Sequence, residues 1–274
     1  MSRKLSKLLV YGALTSGVLA VAIPYLWMAS CSFKGPVEIF EFPPSLFPKG
    51  MYWGNFEQIF NSLPIPRIFF NSFFVSISTT LSALFFGSLS GYAFAKLKFF
   101  GQKFLFALAL STMLLPFVLF IIPRFIIINN LKLVGTYGGL ILPFAMNGLT
   151  IFLFKQFFDT IPNDMRDAAI VDGCTELGVL FRIMLPLSKP ILIVAGIFTF
   201  MDSWNNFLWA LIITMGKPNM MTIPVGLAFF SQSYVTYWGA SMAMATLFTL
   251  PIIGVYFIFQ RYFIESITLT GLKG

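Results

Sequence analysis

The chain is 274 residues long, 58% hydrophobic and only 10% charged, with a mean hydropathy of +0.86. A water-soluble domain carries about 25% charged residues, so this composition excludes one and describes an integral membrane protein. The formal charge of +8 comes from cations spread thinly between apolar runs, with no aromatic and basic binding face, which excludes a nucleic-acid partner.

Arg3, Lys4 and Lys7 precede an apolar run at 8–30, long enough to cross a bilayer core of about 30 Å. Ala20-Val21-Ala22 and Met28-Ala29-Ser30-Cys31 imitate processing sites, but a chain beginning at Met1 is expected to keep this run as an uncleaved first span. Residues 31–67 hold Pro36, Pro43, Pro44, Pro48, Pro64 and Pro66 and are expected to form an external loop without a long regular element. A second span at 69–95 places Ser72, Ser76, Thr80, Ala83, Gly87 and Gly91 at steps of three and four. Such a stripe of small residues predicts a tight helix–helix seam.

Lys96, Lys98 and Lys103 mark a short loop before a third span at 104–128, which Pro116 and Pro123 interrupt. Arg124, near its outer end, is expected to snorkel to the interface or pair locally rather than bind a solute. After an external turn at 131–139, a fourth span at 139–157 bends at Pro143 and is loosened by Gly148. A polar loop at 159–189 follows, then a fifth span at 190–214. An external segment with Gly216-Lys217-Pro218 and a sixth span at 238–260 complete a single transmembrane domain covering 1–274.

Twelve Lys and Arg fall in the N-terminus, the 96–103 loop, the 155–189 segment and the tail. Five lie on the other face, namely Lys34, Lys49, Arg67, Lys132 and Lys217, with Arg124 inside the membrane. The excess predicts that both termini and the polar loop are cytoplasmic. Cys31 and Cys174 then lie on opposite sides, which precludes a bridge between them.

The chemistry of the 159–189 loop predicts two short helices joined at a glycine. Asn163 is expected to cap the first, Asp164 suits its positive end, and Gly173 is expected to end it in the left-handed conformation. Thr175 is expected to cap the second helix. There Leu177, Leu180, Phe181 and Met184 form a one-sided apolar stripe until Pro186 and Pro190 stop the helix. Ala168, Ala169 and Gly173 leave the first helix nearly bare, so another protein can approach its backbone closely. By periodicity alone, an amphipathic connector lying on the membrane surface is an equal alternative.

Asp167-Ala168-Ala169, three further residues, Gly173 and the later Leu185-Pro186 resemble the "EAA" loop of inner-membrane permease subunits of binding-protein-dependent ABC importers. Asp167 stands where that family usually has Glu, and Cys174 where it often has Ala. Trp53-Gly54-Asn55-Phe56, Leu114-Leu115-Pro116-Phe117, Ile122-Pro123 and Ile197-Phe198-Thr199-Phe200 resemble the carbohydrate-uptake branch of the same family. So do Ser203-Trp204-Asn205-Asn206-Phe207-Leu208-Trp209 and the ending from Gln260-Arg261-Tyr262-Phe263 to Gly271-Leu272-Lys273-Gly274.

The resemblance implies an all-α membrane protein with six transmembrane helices and a cytoplasmic coupling loop, the type I ABC importer transmembrane fold, in a bacterial or archaeal inner membrane. It implies a sugar or related polyol as solute. The implied partners are a second permease subunit in a heterodimer, two ATP-binding subunits, an external solute-binding protein and membrane lipid. Asp167, Ala168, Ala169, Asp172, Gly173, Leu185 and Pro186 are the implied ATPase-coupling residues. No G-x-x-x-x-G-K-[ST] phosphate loop occurs, so ATP and Mg belong to the partner subunits and no cofactor or metal is expected on this chain.

In the fifth span, Thr199, Asp202, Ser203 and Asn206 fall at i, i+3, i+4 and i+7, with Asn205 at the edge of the same face. Two readings stay open: hydrogen bonds that hold the two permease subunits together, or the lining of a translocation path for hydroxyl-rich solutes. An enzyme is not expected, because no nucleophile and base or ligand cluster appears at reactive spacing. The alternative function is an ion-coupled secondary transporter. The sequence argues against it, having no histidine and only Asp202 and Arg124 as clear intramembrane ionisable groups.

Overall fold

The computed structural model describes residues 3–215, 217–231 and 237–271. Gly216 of the predicted external segment and Leu272-Lys273-Gly274 of the chain's ending lie outside the described residues. In chain order the helices are α1 (Arg3–Ser32), α2 (Gly54–Ser62), α3 (Ile65–Lys96), α4 (Gln102–Leu114), α5 (Ile121–Asn130), α6 (Tyr137–Ile141) and α7 (Gly148–Asp159). They continue as α8 (Asn163–Val171), α9 (Glu176–Val179), α10 (Leu185–Leu187), α11 (Lys189–Trp204), α12 (Leu208–Thr214), α13 (Ile223–Ser231) and α14 (Trp238–Gly271).

Three stretches are long and apolar enough to cross a membrane unbroken: Leu9–Ser32, Ile65–Lys96 and Trp238–Ile258. Three more candidates are bent pairs, Gln102–Leu114 with Phe117–Asn130 at 108°, Tyr137–Phe144 with Gly148–Asp159 at 42°, and Glu176–Leu187 with Lys189–Trp204 at 86°. The sharpest break has a local cause. Leu115 is extended, at φ −91° and ψ 131°, because the ring of Pro116 excludes the helical region for the residue before it. Pro123 breaks nothing, since it lies in the first turn of α5, where its missing N–H has no partner to lose.

The chain divides into two compact units, Met1–Pro66 with Val225–Gly254 and Arg67–Pro224 with Val255–Gly274. In the first, α2 forms within the segment where the prolines predict no long regular element. Asn55 anchors it, donating from a buried amide to Ser32 O at 2.9 Å and Lys34 O at 2.8 Å. A Cβ built on Gly239 would stand 2.2 Å from Asn55 Oδ1, so α14 approaches α2 at a distance only glycine permits.

In the second unit, the stripe of small residues on α3 is a seam. Ser72, Ser76 and Ala83 are buried, and Gly87 and Gly91 bring α3 against Thr150 and Phe154 of α7. A Cβ at Gly91 would lie 2.5 Å from Phe154 Cβ and 2.9 Å from the backbone nitrogen of Lys155. α7 also packs on α4 and α11. Trp209 of α12 donates from Nε1 to Gly139 O at 3.0 Å, fixing α12 to α6.

The predicted fifth span is not one helix. α11 ends at Trp204, Asn205 caps it by donating from Nδ2 to Met201 O at 2.8 Å, and α12 starts only at Leu208. Asn206 therefore lies beyond the helix that carries Thr199, Asp202 and Ser203, and the four do not share a continuous helical face.

Candidate functional site

The loop between α7 and α11 folds as two capped helices, α8 and α9, joined at Gly173. Gly173 has φ +88° and Thr175 Oγ1 accepts from Gly178 N at 3.1 Å, both as the sequence predicts. Asn163 differs: it is the first residue of α8, follows Pro162 and makes no cap bond. Its Oδ1 accepts instead from Lys96 Nζ at 2.9 Å, while the same ammonium donates to Ile161 O at 2.6 Å.

The expected apolar stripe is also redrawn. A π-helical turn at Leu180–Met184 shifts the register, so Val179, Leu180 and Met184 are buried while Leu177 and Phe181 are exposed. Neither proline stops the second helix where expected: Pro186 lies inside α10, Pro190 opens α11, and the chain turns at Ser188. The buried side joins Tyr92, Phe154, Phe158, Ile161, Ala169, Val179, Leu180, Met184 and Ala195 in one core. Ala169 belongs to that core, so it does not keep the outer face of α8 bare. Leu185 packs partly against the core, and Pro186 is exposed.

An ion pair ties α8 to α9, and hydrogen bonds from Tyr92 and Lys96 tie the loop to α3. Arg166 donates to Glu176 from Nε at 3.1 Å and from Nη2, and to Asp167 from Nη1 at 3.0 Å. Tyr92 of α3 donates its hydroxyl to the same Glu176 carboxylate. Hydrogen bonds from Arg166 hold the Glu176 carboxyl below its ordinary value against the opposing effect of burial, and the Tyr92 hydroxyl lowers it further. The outward face then presents Asp167, Ala168, Asp172 and Gly173 around Val171, which is 86% exposed.

A second polar site lies where the bent pairs meet. A cavity of about 710 Å³ is lined from α4 by Thr112 and Met113, from α5 by Arg124, from the turn before α7 by Phe144 and Asn147, and from α11 by Phe198, Thr199 and Asp202. Non-helical backbone at membrane depth is tolerated where it is buried in protein or lines a cavity, as the turn at 145–147 does here. Of the predicted path residues, only Thr199 and Asp202 reach this cavity. Ser203 and Asn206 line a separate small recess with Trp209 and Thr222, and Asn205 is exposed at the end of α11.

Arg124 pairs locally with aromatic rings, one of the two outcomes that the sequence predicts. It lines the cavity, with its guanidinium 4.9 Å from the Phe117 ring, 5.5 Å from Phe144 and 5.9 Å from Phe120. The signal was present in Phe120 and Phe117, four and seven residues earlier. Its meaning depended on the bend at Leu115 and on Phe144, which comes from a separate helix pair.

Helices broken around a cavity lined by Thr112, Arg124, Thr199 and Asp202 are a feature of membrane transport proteins. Over residues 83–268 the chain matches the family described as binding-protein-dependent transport system inner membrane component, and it belongs to that family. It is similar to the arabinooligosaccharides transport system permease protein AraQ of Bacillus subtilis (strain 168), with 36% identity over 269 residues, covering 96% of this chain and 95% of AraQ. It is also similar to the sn-glycerol-3-phosphate transport system permease protein UgpE of Yersinia enterocolitica, with 31% identity covering 92% of each.

The fold is similar to a chain in the crystal structure of a bacterial ABC transporter involved in the import of the acidic polysaccharide alginate. The TM-score is 0.83 at 21% identity, covering 96% of this chain and 99% of that one. This chain is therefore an inner-membrane permease subunit of an ABC importer with the type I transmembrane fold. It is not an ion-coupled carrier, and the ATPase activity of such systems lies in separate subunits.

Proposed function

We propose that this chain forms one half of the translocation path for a saccharide or related polyol and pairs there with a second, different permease subunit. An external solute-binding protein delivers the solute, and two ATP-binding subunits, holding ATP and Mg, supply the energy. The chain acts as a single transmembrane domain with six crossings: three unbroken helices, the bent pairs Gln102–Leu114 with Phe117–Asn130 and Tyr137–Phe144 with Gly148–Asp159, and the segment 190–214. Both termini and the α8–α9 loop face the cytoplasm, consistent with the distribution of Lys and Arg. The saccharide reading is supported by likeness to AraQ over nearly the whole of both chains.

The observation that carries the coupling role is the outward face of α8. It exposes Val171 between Asp167 and Asp172 on a loop that Arg166, Glu176 and Tyr92 lock to α3. An apolar knob flanked by carboxylates on a rigid support suits docking into a groove on an ATP-binding subunit. Ala168 and Gly173 allow close approach, while Leu185 and Pro186 shape the return of the chain to α11.

The test is Gly173→Trp in a correctly inserted complex. The Gly173 backbone is left-handed and its surroundings are open, so a bulky side chain is strained there and projects toward the docking partner. Saccharide uptake and substrate-stimulated ATPase should fall together. Unchanged uptake and ATPase would remove the docking role.

A further inference from the structure

The segment between α1 and α2 satisfies its charges internally and leaves its rings uncovered. Its four charged side chains, Lys34, Glu38, Glu41 and Lys49, sum to zero. Lys34 is only 1% exposed; its ammonium donates to Ser45 O and lies 4.3 Å from the Trp27 ring. Lys49 donates from its backbone nitrogen to Glu38 Oε1 at 2.7 Å and pairs through Nζ with Glu41 Oε1 at 2.5 Å. Phe42, by contrast, is 91% exposed, and Val37, Phe40, Phe47, Met51 and Trp53 are exposed with it. Single exposed apolar residues are ordinary, but so many large ones in one short stretch mark a contact surface.

Hydrogen bonds set the level at which this surface stands. Ser30 Oγ donates to Leu46 O at 2.5 Å, and Tyr52 N donates to Phe33 O at 2.9 Å. Ser45, Leu46 and Tyr52 are therefore held beside residues 30–34, where the span Leu9–Ser32 ends. The 24 residues of that span rise about 36 Å as a helix, against about 30 Å of hydrocarbon and about 40–45 Å of bilayer with headgroups. Its outer end thus falls in the headgroup layer. Phe47 directly follows Leu46, and Phe42 is three residues from Ser45, at most about 11 Å along the chain.

We infer that the segment 35–53 lies in the outer headgroup layer of the membrane with its exposed rings inserted among the lipids, an aromatic collar where α1 leaves the bilayer. Aromatic side chains concentrate at this depth, and Phe and Trp on an otherwise self-satisfied element bury their apolar surface at the boundary between headgroups and acyl chains. The internal pairing of the four charges leaves no lone charge to be drawn away from that boundary. A binding protein that arrives and departs would return the rings to water at each departure, whereas lipid covers them throughout.

The outer side of the membrane is taken from the topology proposed above, and a reporter fusion at Gly50 tests that side separately. The placement itself is tested in the complete importer, its other cysteines replaced, with an environment-sensitive fluorophore attached at Phe42→Cys or, independently, at Phe47→Cys. The labelled complex is reconstituted in vesicles of phosphatidylethanolamine and phosphatidylglycerol. Emission should be shifted to the blue relative to the same label in water, should be largely lost when the lipids carry a nitroxide near the headgroup, and should survive added iodide. Quenching by iodide without quenching by the nitroxide lipid would overturn the inference, and its relief by the binding protein would assign the surface to that partner. A label protected from both quenchers would also overturn it, because a neighbouring subunit would then cover the rings. Lipid quenching together with a Gly50 fusion that reports from the cytoplasm would overturn the proposed topology and the outer-layer placement, while leaving the contact with lipid.

Discussion

Arg166 meets Glu176 with two nitrogens on two oxygens, the planar geometry in which an arginine and a carboxylate interact most strongly, and Tyr92 adds a donor from a different helix. The effect depends on the ionised carboxylate. Because the folded pKa of Glu176 lies below its ordinary value of 4.5, its stabilisation is present above that value and is lost as pH falls through the lowered one. At neutral pH the lock is therefore intact. Hydrogen exchange of 163–179 is predicted to be flat from pH 8 to about 5 in the assembled protein, once corrected for the intrinsic pH dependence of exchange. Glu176→Gln should speed exchange in that segment already at neutral pH. Equal protection in wild type and variant would show that the apolar core alone holds the loop. Gly173 acts through its backbone: Gly173→Ala meets no neighbour, yet φ +88° should cost about 1–2 kcal/mol of local stability, read from the same exchange data.

At the scale of helices, the α3–α7 seam depends on Gly87 and Gly91 having no side chains. Gly91→Ala places a Cβ against Phe154 Cβ and backbone at Lys155, neither of which moves easily, and overpacking of this kind costs about 1–3 kcal/mol. The melting temperature of the detergent-solubilised protein should fall. Gly254→Ala, where nothing lies within 4 Å of the added carbon, should leave it unchanged. If both variants melt like wild type, the seam is looser than described.

This seam was legible because steps of three and four depend only on helical geometry, and spans could be placed because hydropathy is a local property. The breaks were legible only in part. Leu115 before Pro116 carries a local steric rule. Asn205 and Asn206 carry none, because polar residues sit inside membrane helices as readily as at their ends. The π turn at Leu180–Met184, which exposes Phe181 and buries Leu180, is set by packing against Tyr92, Phe158 and Ala195. The capping of α9 by Thr175 was readable from a few residues, while Asn163 was lost as a cap because Lys96, far away in sequence, took its oxygen.

For the whole molecule, the proposed topology makes reporter fusions at Gly101 and Glu176 cytoplasmic and those at Gly50, Gly135 and Lys217 external. A Glu176 fusion that reports externally would put the α8–α9 loop beyond the reach of any ATP-binding subunit. The central claim, that this loop docks on an ATP-binding subunit, is tested most directly by cross-linking. With Cys31 and Cys174 replaced by Ser, Val171→Cys is introduced, and a bifunctional thiol reagent is applied to the complete importer in membrane vesicles. The account predicts a covalent product between this chain and an ATP-binding subunit, formed at a rate that changes when ATP is added, and none from a cysteine at Val37 in the segment between α1 and α2. A Val171→Cys chain that cross-links to no ATP-binding subunit, in vesicles that still accumulate solute, would contradict it.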